Sequence, residues 1–267
     1  MIELHPFLFG GAISVFPVMK ETTMKLAILS DIHGNILALE AVLADIKRRG
    51  VDLIVNAGDI LSGPLEPSAT ADLLMPLQLP TIRGNHERHL LDCAKRPGQP
   101  SDQFAYDNTT AAQRDWICGL PATLALNDDI FMCHGTPAND LAYFLEHVDQ
   151  HGCRMASSTD IEARAEAIPH SLIICGHTHK PRACAISGGR LVVNPGSVGL
   201  QAYDDDQPCF HTIENGSPHA RYAMCEQTSD GWSVDHLCVA YDHLQAARTA
   251  LKNGRPDWAR WLASGRV

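Results

Sequence analysis

Five short polar signatures, each at the end of an apolar run, constrain this chain more than any other feature. They are Asp31-Ile32-His33-Gly34-Asn35, Gly58-Asp59, Gly84-Asn85-His86-Glu87, His134-Gly135 and Gly176-His177-Thr178-His179. The runs before them have strand length, and helical spacing separates the first of them. Ile36, Leu39, Val42, Leu43 and Ile46 recur on one helical face, and Gly50 stops that helix. The N-terminal part therefore reads as strands over 25–30, 52–57 and 79–83, alternating with helices over 35–49, 66–75 and 86–95. This order implies right-handed crossovers and a largely parallel α/β sheet. In such sheets the carboxyl ends of the strands form the crevice where sites assemble. Five polar strand ends can therefore meet in one place.

The rest of the chain is more mixed. Helical patterns are expected over 101–118, 138–148 and 159–167. Strands are expected over 122–126, 130–133 and 171–175, with a hairpin over 182–187 and 190–194 turning at Gly188-Gly189. Further strands fall at 208–213, 220–226 and 232–239, and terminal helices at 241–252 and 256–263. Trp258 and Trp261, spaced i, i+3, are expected to pack the last helix onto the body. The Asp204-Asp205-Asp206 run reads as a solvated turn. Residues 1–23 read as an N-terminal extension and 24–267 as one domain, with Met24 opening a clean strand. Pro6–Val18 is apolar but lacks the positive start and cleavage site of a signal peptide.

Composition narrows the function. Of 267 residues, 21 are Lys or Arg and 31 Asp or Glu, a formal charge of −10. That argues against a general nucleic-acid binder, whose affinity comes from cations on phosphates, and against a polybasic membrane anchor. No stretch approaches the roughly 20 apolar residues of a membrane span. The 9 cysteines include no C-x-x-C pair, which fits reduced thiols in a cytoplasmic protein. No stable nucleic-acid complex and no membrane partner are expected.

The residue types at the five strand ends point to metal chemistry. Asp31 and His33 stand at i, i+2, as do His177 and His179, so an extended segment aims each pair to one side. Carboxylate and imidazole together suit Mn, Fe, Zn, Co or Ni better than Ca. Asp59 can bridge two ions, and Asn85 can add a neutral carbonyl oxygen. With His134 the set suffices for two ions about 3.5–4 Å apart, the spacing that clamps both oxygens of a phosphoryl displacement. The nine other histidines, at 5, 89, 147, 151, 170, 211, 219, 236 and 243, read as surface or hydrogen-bonded residues.

The pattern D-x-H…G-D…G-N-H-E…H-G…G-H-T-H resembles the calcineurin-like metallophosphoesterase superfamily from Met24 to Ala263. It is most similar to that superfamily's compact bacterial and archaeal phosphodiesterases. Supporting features are Thr136-Pro137 and Asn194-Pro195-Gly196-Ser197-Val198-Gly199. The resemblance implies a four-layer α/β/β/α sandwich of two mixed sheets flanked by helices. It implies one metal on Asp31, His33, Asp59 and His179, and a second on Asp59, Asn85, His134 and His177. The ions would be two divalent transition metals, Mn²⁺ foremost, with Fe, Zn, Ni, Co or Mg also compatible. His86 would steady the phosphate and protonate the leaving oxygen, so that Asp59, Asn85 and His86 form the catalytic group around a metal-bridging hydroxide. The expected activity is hydrolysis of small phosphodiesters or monoesters. The resemblance also admits a dinucleoside polyphosphate hydrolase, a protein phosphatase, or a scaffold such as the retromer subunit of similar fold. The protein phosphatases carry G-D-x-x-D-R-G; here Ile60-Leu61-Ser62-Gly63 follow Asp59, so the phosphate-gripping Arg is missing. Asn35 and Arg114 are candidate phosphate contacts. Residues 92–120 and 200–219 are candidates for lining the entrance.

Overall fold

The computed structural model describes residues 24–267; the extension expected over residues 1–23 lies outside the described residues. The chain begins β1 (Lys25–Leu29), α1 (Ile36–Arg49), β2 (Leu53–Asn56), α2 (Pro67–Leu74) and α3 (Asn85–Asp92). It continues through α4 (Pro100–Asp107), α5 (Ala111–Cys118), β3 (Thr123–Ala125), β4 (Ile130–Cys133), β5 (Glu146–Asp149), β6 (Gly152–Met155) and α6 (Ser158–Arg164). Then come β7 (Leu172–Ile174), β8 (Arg182–Ile186), β9 (Arg190–Asn194), β10 (Ala202–Asp205), β11 (His211–Glu214), β12 (Ala220–Thr228) and β13 (Gly231–Val239). Helices α7 (His243–Lys252) and α8 (Pro256–Ser264) end it.

Two mixed sheets dominate, in the orders β13-β12-β1-β2 and β3-β4-β7-β9-β8. The central strand shows why they stack. In β1 the side chains alternate across the sheet. Leu26 and Ile28 join Val55, Ile130, Met132, Leu172, Ile174 and Val193 in a core between the sheets. Ala27 and Leu29 face the other way, onto Leu39, Val42 and Ile46 of α1. On the far side, Ile173 and Val192 of the second sheet bury Ile161 of α6. Four layers result: helices, sheet, sheet, helix. Each fully buried Leu or Ile contributes about 1.5–3 kcal/mol relative to exposure. Trp258 and Trp261 are buried and hold α8 and α7 against Leu65, Leu200 and Ala202, as their spacing suggested.

Several expectations change. The strand expected over 79–83 shrinks to one parallel bridge, Asn56 to Thr81. Pro80 has no N–H, so it accepts from Asn56 N through its carbonyl but cannot extend the ladder. The helix expected over 101–118 is two helices, because Thr110 starts a new one in a capping box with Gln113. No helix forms over 138–148. Phe144 and Leu145 are both buried, and Glu146 is buried on Arg182, which a single helical face cannot satisfy together. The segment is a loop entering the β5–β6 hairpin. Asp204 and Asp205 lie in β10, paired with β11, rather than in a turn.

Candidate metal centre

The five signatures do converge. Loops after β1, β2, β4 and β7 and the start of α3 meet at one end of the two sheets. Their backbones are zipped together: Asp31 N donates to Gly58 O at 2.9 Å, His33 N to Asp59 O at 3.1 Å, and Gly34 N to Ile60 O at 2.8 Å. Gly176 N donates to His134 O at 2.8 Å. The Asn194–Gly199 loop braces them from behind. Val198 N and Gly199 N donate to Ser30 O and Asp31 O, and Ser197 Oγ donates to Asp31 O at 2.7 Å. A Cβ on Gly199 would stand 1.8 Å from Ile32 O, so only glycine fits there. Gly84 is equally constrained: a Cβ would lie 2.2 Å from Asp59 Oδ1.

The local conformation is strained where the side chains matter. Among the described residues six non-glycine residues have φ above zero, and five of them are Asp31, His33, Asp59, His177 and His179. Each costs on the order of 1–3 kcal/mol, sustained only by surrounding structure.

Two groups of side chains face one another. Asp31, His33 and His179 form one, Asp59, His134 and His177 the other, with the ligating atoms of each within 4.8 Å of one another. His134 Nε2 links them, 2.9 Å from Asp59 Oδ2 and 3.9 Å from Asp31 Oδ1. The tautomers follow from the acceptors. His33 Nδ1 donates to Ser62 O, His179 Nδ1 to Leu200 O and His134 Nδ1 to Ala57 O. A carbonyl only accepts, so each Nδ1 carries a hydrogen and each Nε2 is turned into the site. His33 Nε2 and His179 Nε2 consequently face each other at 3.0 Å. His177 is oriented the other way, with Nε2 donating to Leu141 O at 3.2 Å. Asp31 Oδ1 and Asn85 Oδ1 are buried without a hydrogen-bond donor. Buried oxygens without a donor, facing imidazole nitrogens turned into the same space, are what a divalent cation satisfies.

The electrostatics divide the imidazoles: burial opposes a charge on His134, but Asp59 and Asp31 outweigh it and push its pKa up to about 10, so without metal its Nε2 is paired with Asp59. Burial, reinforced by His179, pushes His33 down to about 4. Burial, reinforced by His134, takes His177 down to about 3. Both imidazoles are thus neutral at pH 7. Burial opposes the charge on Asp59, but His134 and His86 outweigh it and hold the carboxyl well below the usual range.

Three contacts that sequence reasoning missed complete the site. His86 Nδ1 lies 2.7 Å from Asp102 Oδ1, which also accepts from Ser62 Oγ at 2.7 Å. Burial disfavours the imidazolium of His86, yet Asp59 and Asp102 prevail and push its pKa up to about 9. Glu87 is fully buried and accepts from Asp59 N, Ile60 N and Gly84 N at 2.7–2.9 Å. It staples the Asp59 turn to the start of α3. Tyr143 OH meets Tyr203 OH and His211 Nε2, while the Tyr143 and Tyr203 rings sit edge-on to His177 and His179. Asp102 comes from the 92–120 stretch and Tyr203 and His211 from 200–219, so both stretches reach the site.

Asn35 and Arg114 are not available to a phosphate. Asn35 is buried, caps α1 through Ala38 N and donates to Gly199 O and Tyr241 OH. Arg114 donates to Tyr106 O and Thr109 O and stacks on the Tyr106 ring.

This architecture is the metallophosphoesterase sandwich fold, with two His/Asp clusters that could each hold a metal ion. The chain belongs to the calcineurin-like phosphoesterase superfamily, whose domain matches residues 24–216. Membership implies divalent metal ions. A crystal structure of a metallophosphoesterase from Sphaerobacter thermophilus is similar with TM-score 0.70 and 23% identity, over 91% of this chain and all of that one. That of a putative diadenosine tetraphosphatase has TM-score 0.51 and 16% identity, over 82% of this chain and 96% of that one. These two likenesses concern the fold. In sequence, an uncharacterized protein of Methanocaldococcus jannaschii is 25% identical over 258 residues, 87% of this chain and 94% of that protein. No described helix is long and apolar enough to cross a membrane.

Proposed function

We propose that the protein is a two-metal phosphohydrolase acting on small phosphodiesters, with activity on monoesters as a lesser one. The observation that carries this is the meeting of two His/Asp groups, around buried oxygens without a donor, beside a His86 held as an imidazolium. Asp31, His33, Asp59 and His179 would hold one ion, and Asp59, Asn85, His134 and His177 the other. Mn²⁺ suits this mixture of oxygen and nitrogen donors. Bound ions supply Lewis acidity toward the phosphoryl oxygens and lower the pKa of water. The remaining work falls to the chain. Carbonyls of Ser62, Leu200 and Ala57 aim three imidazoles. Asp102 fixes His86 at Nδ1, which leaves Nε2–H to protonate the departing oxygen.

The test is to strip metals, restore Mn²⁺ and assay bis-p-nitrophenyl phosphate beside p-nitrophenyl phosphate. Diester cleavage that returns with Mn²⁺ and vanishes with chelator is the expected result. Monoester cleavage alone would shift the assignment to a phosphatase. Hydrolysis of neither, with both ions bound, would point to a non-catalytic scaffold. Preferential cleavage of a dinucleoside polyphosphate or of a phosphopeptide in the same panel would move the substrate class to polyphosphates or to phosphoproteins.

The pairing of His86 with Asp102 has its own signature. His86 must be protonated to act, and its pKa is raised, so its contribution persists through neutrality and is lost as pH rises through about 9. Asp102→Asn removes the charge that helps hold the proton, so the alkaline limb moves to lower pH. The loss of rate should be about 10- to 100-fold for a diester with an alcohol leaving group. For nitrophenolate, which needs little protonation, the loss should be much smaller. Equal losses for both leaving groups would assign Asp102 a structural role only.

A further inference from the structure

We propose that His86, His89 and Asp102 form a third metal site, suited to zinc, whose occupation inhibits hydrolysis. The three residues offer ligand atoms within 4.8 Å of one another. His86 and His89 stand one turn apart on α3, and Asp102 faces them from α4. Asp102 is 1% exposed, and its two oxygens are not equivalent. Oδ1 accepts from Ser62 Oγ and His86 Nδ1, while Oδ2 is buried without a donor. His89 Nδ1 lies 3.9 Å from Oδ2, too long for a hydrogen bond. A buried carboxylate oxygen thus points toward an imidazole nitrogen with a gap between them.

That gap has the size of a small ion. Tetrahedral zinc with bonds of about 2.0–2.1 Å sets neighbouring ligand atoms about 3.3 Å apart. The 3.9 Å between His89 Nδ1 and Asp102 Oδ2 would close by under about 1 Å, while Oδ1 keeps the Ser62 hydroxyl. The His86 and His89 side chains are 30% and 33% exposed, so an ion and a water as fourth ligand can enter from solvent. Two imidazoles, one carboxylate and a water make a four-coordinate set of the kind zinc takes.

Zinc on His86 Nδ1 replaces the proton shared with Asp102. The ring then loses the Asp102 contact that holds it toward the leaving oxygen. The effect on rate rests on the proposed role of His86; the binding does not.

The test uses the full chain equilibrated with Mn²⁺ and then with micromolar Zn²⁺, for the wild type and His89→Gln. Total metal, manganese plus zinc, is counted by elemental analysis. The wild type should hold one more ion per chain than His89→Gln. Zinc should slow wild-type cleavage of an alcohol-leaving diester by about 100-fold and spare His89→Gln, whose rate without zinc is unchanged. Equal metal counts in the two proteins overturn the proposal, whatever the hydrolysis assay shows. A one-ion difference without activity in either protein would keep the zinc site and count against the proposed hydrolase instead.

Discussion

Asp59→Asn is expected to lower phosphodiester hydrolysis on the order of 1,000-fold and to leave at most one ion bound. Asp59 is 1% exposed, and both of its oxygens are engaged. Oδ1 accepts from His86 N at 2.9 Å, and Oδ2 faces His134 Nε2 at 2.9 Å. An amide has only one acceptor. If its oxygen keeps the His86 N–H, its NH₂ faces His134 and the position between the two clusters, and cannot ligate. If it flips, the NH₂ meets the His86 N–H, donor against donor. Either arrangement removes the one carboxylate placed to serve both clusters. The metal-free fold should not suffer, because the substitution also removes a buried charge. Elemental analysis with circular dichroism checks this: two ions and full activity in the variant would contradict the assignment.

The second large effect is on stability. Glu87→Ala strands three backbone N–H groups in the interior, at about 1–3 kcal/mol each where water cannot replace the carboxylate. Allowing for partial relaxation, the loss is about 3–5 kcal/mol, or a fall in Tm of roughly 10 °C. Glu87→Gln should do nearly as badly. Oε2 accepts from Asp59 N and Gly84 N, and Oε1 from Ile60 N. An amide sets its NH₂ against at least one of those donors. Thermal unfolding of the two variants decides the matter, and a Gln variant as stable as the wild type would show that the charge and both acceptors are unnecessary. Because the staple holds the Asp59 turn, metal affinity should fall in parallel.

The contrast between Asp59 and Glu87 marks what could be read in the chain. The strand ends were legible because apolar runs stop abruptly at residues with little packing value, such as Gly58-Asp59 and His177-Thr178-His179. The two-sheet core was legible for a related reason: β1 and β7 are buried on both faces and therefore read as unbroken apolar runs. Glu87 sits inside the same motif, but its partners are backbone N–H groups, which leave no mark on residue type. Asp102 is further removed. It reaches His86 only because α4 packs onto α3, and no local spacing records that packing. Phe144 and Leu145 misled in the opposite direction, since their helical pattern yields to burial of adjacent residues on different sides. Asn35 looked like a ligand-facing amide and is consumed by capping α1 and tying it to Gly199 and Tyr241.

The central claim is that two ions sit between these two side-chain groups. Anomalous diffraction from crystals equilibrated with Mn²⁺ tests it most directly. The expected map has two peaks, one within ligand distance of Asp31, His33 and His179, the other within ligand distance of Asn85, His134 and His177, with Asp59 touching both. A single peak, or peaks away from these residues in crystals of protein that hydrolyses the diester, would contradict it.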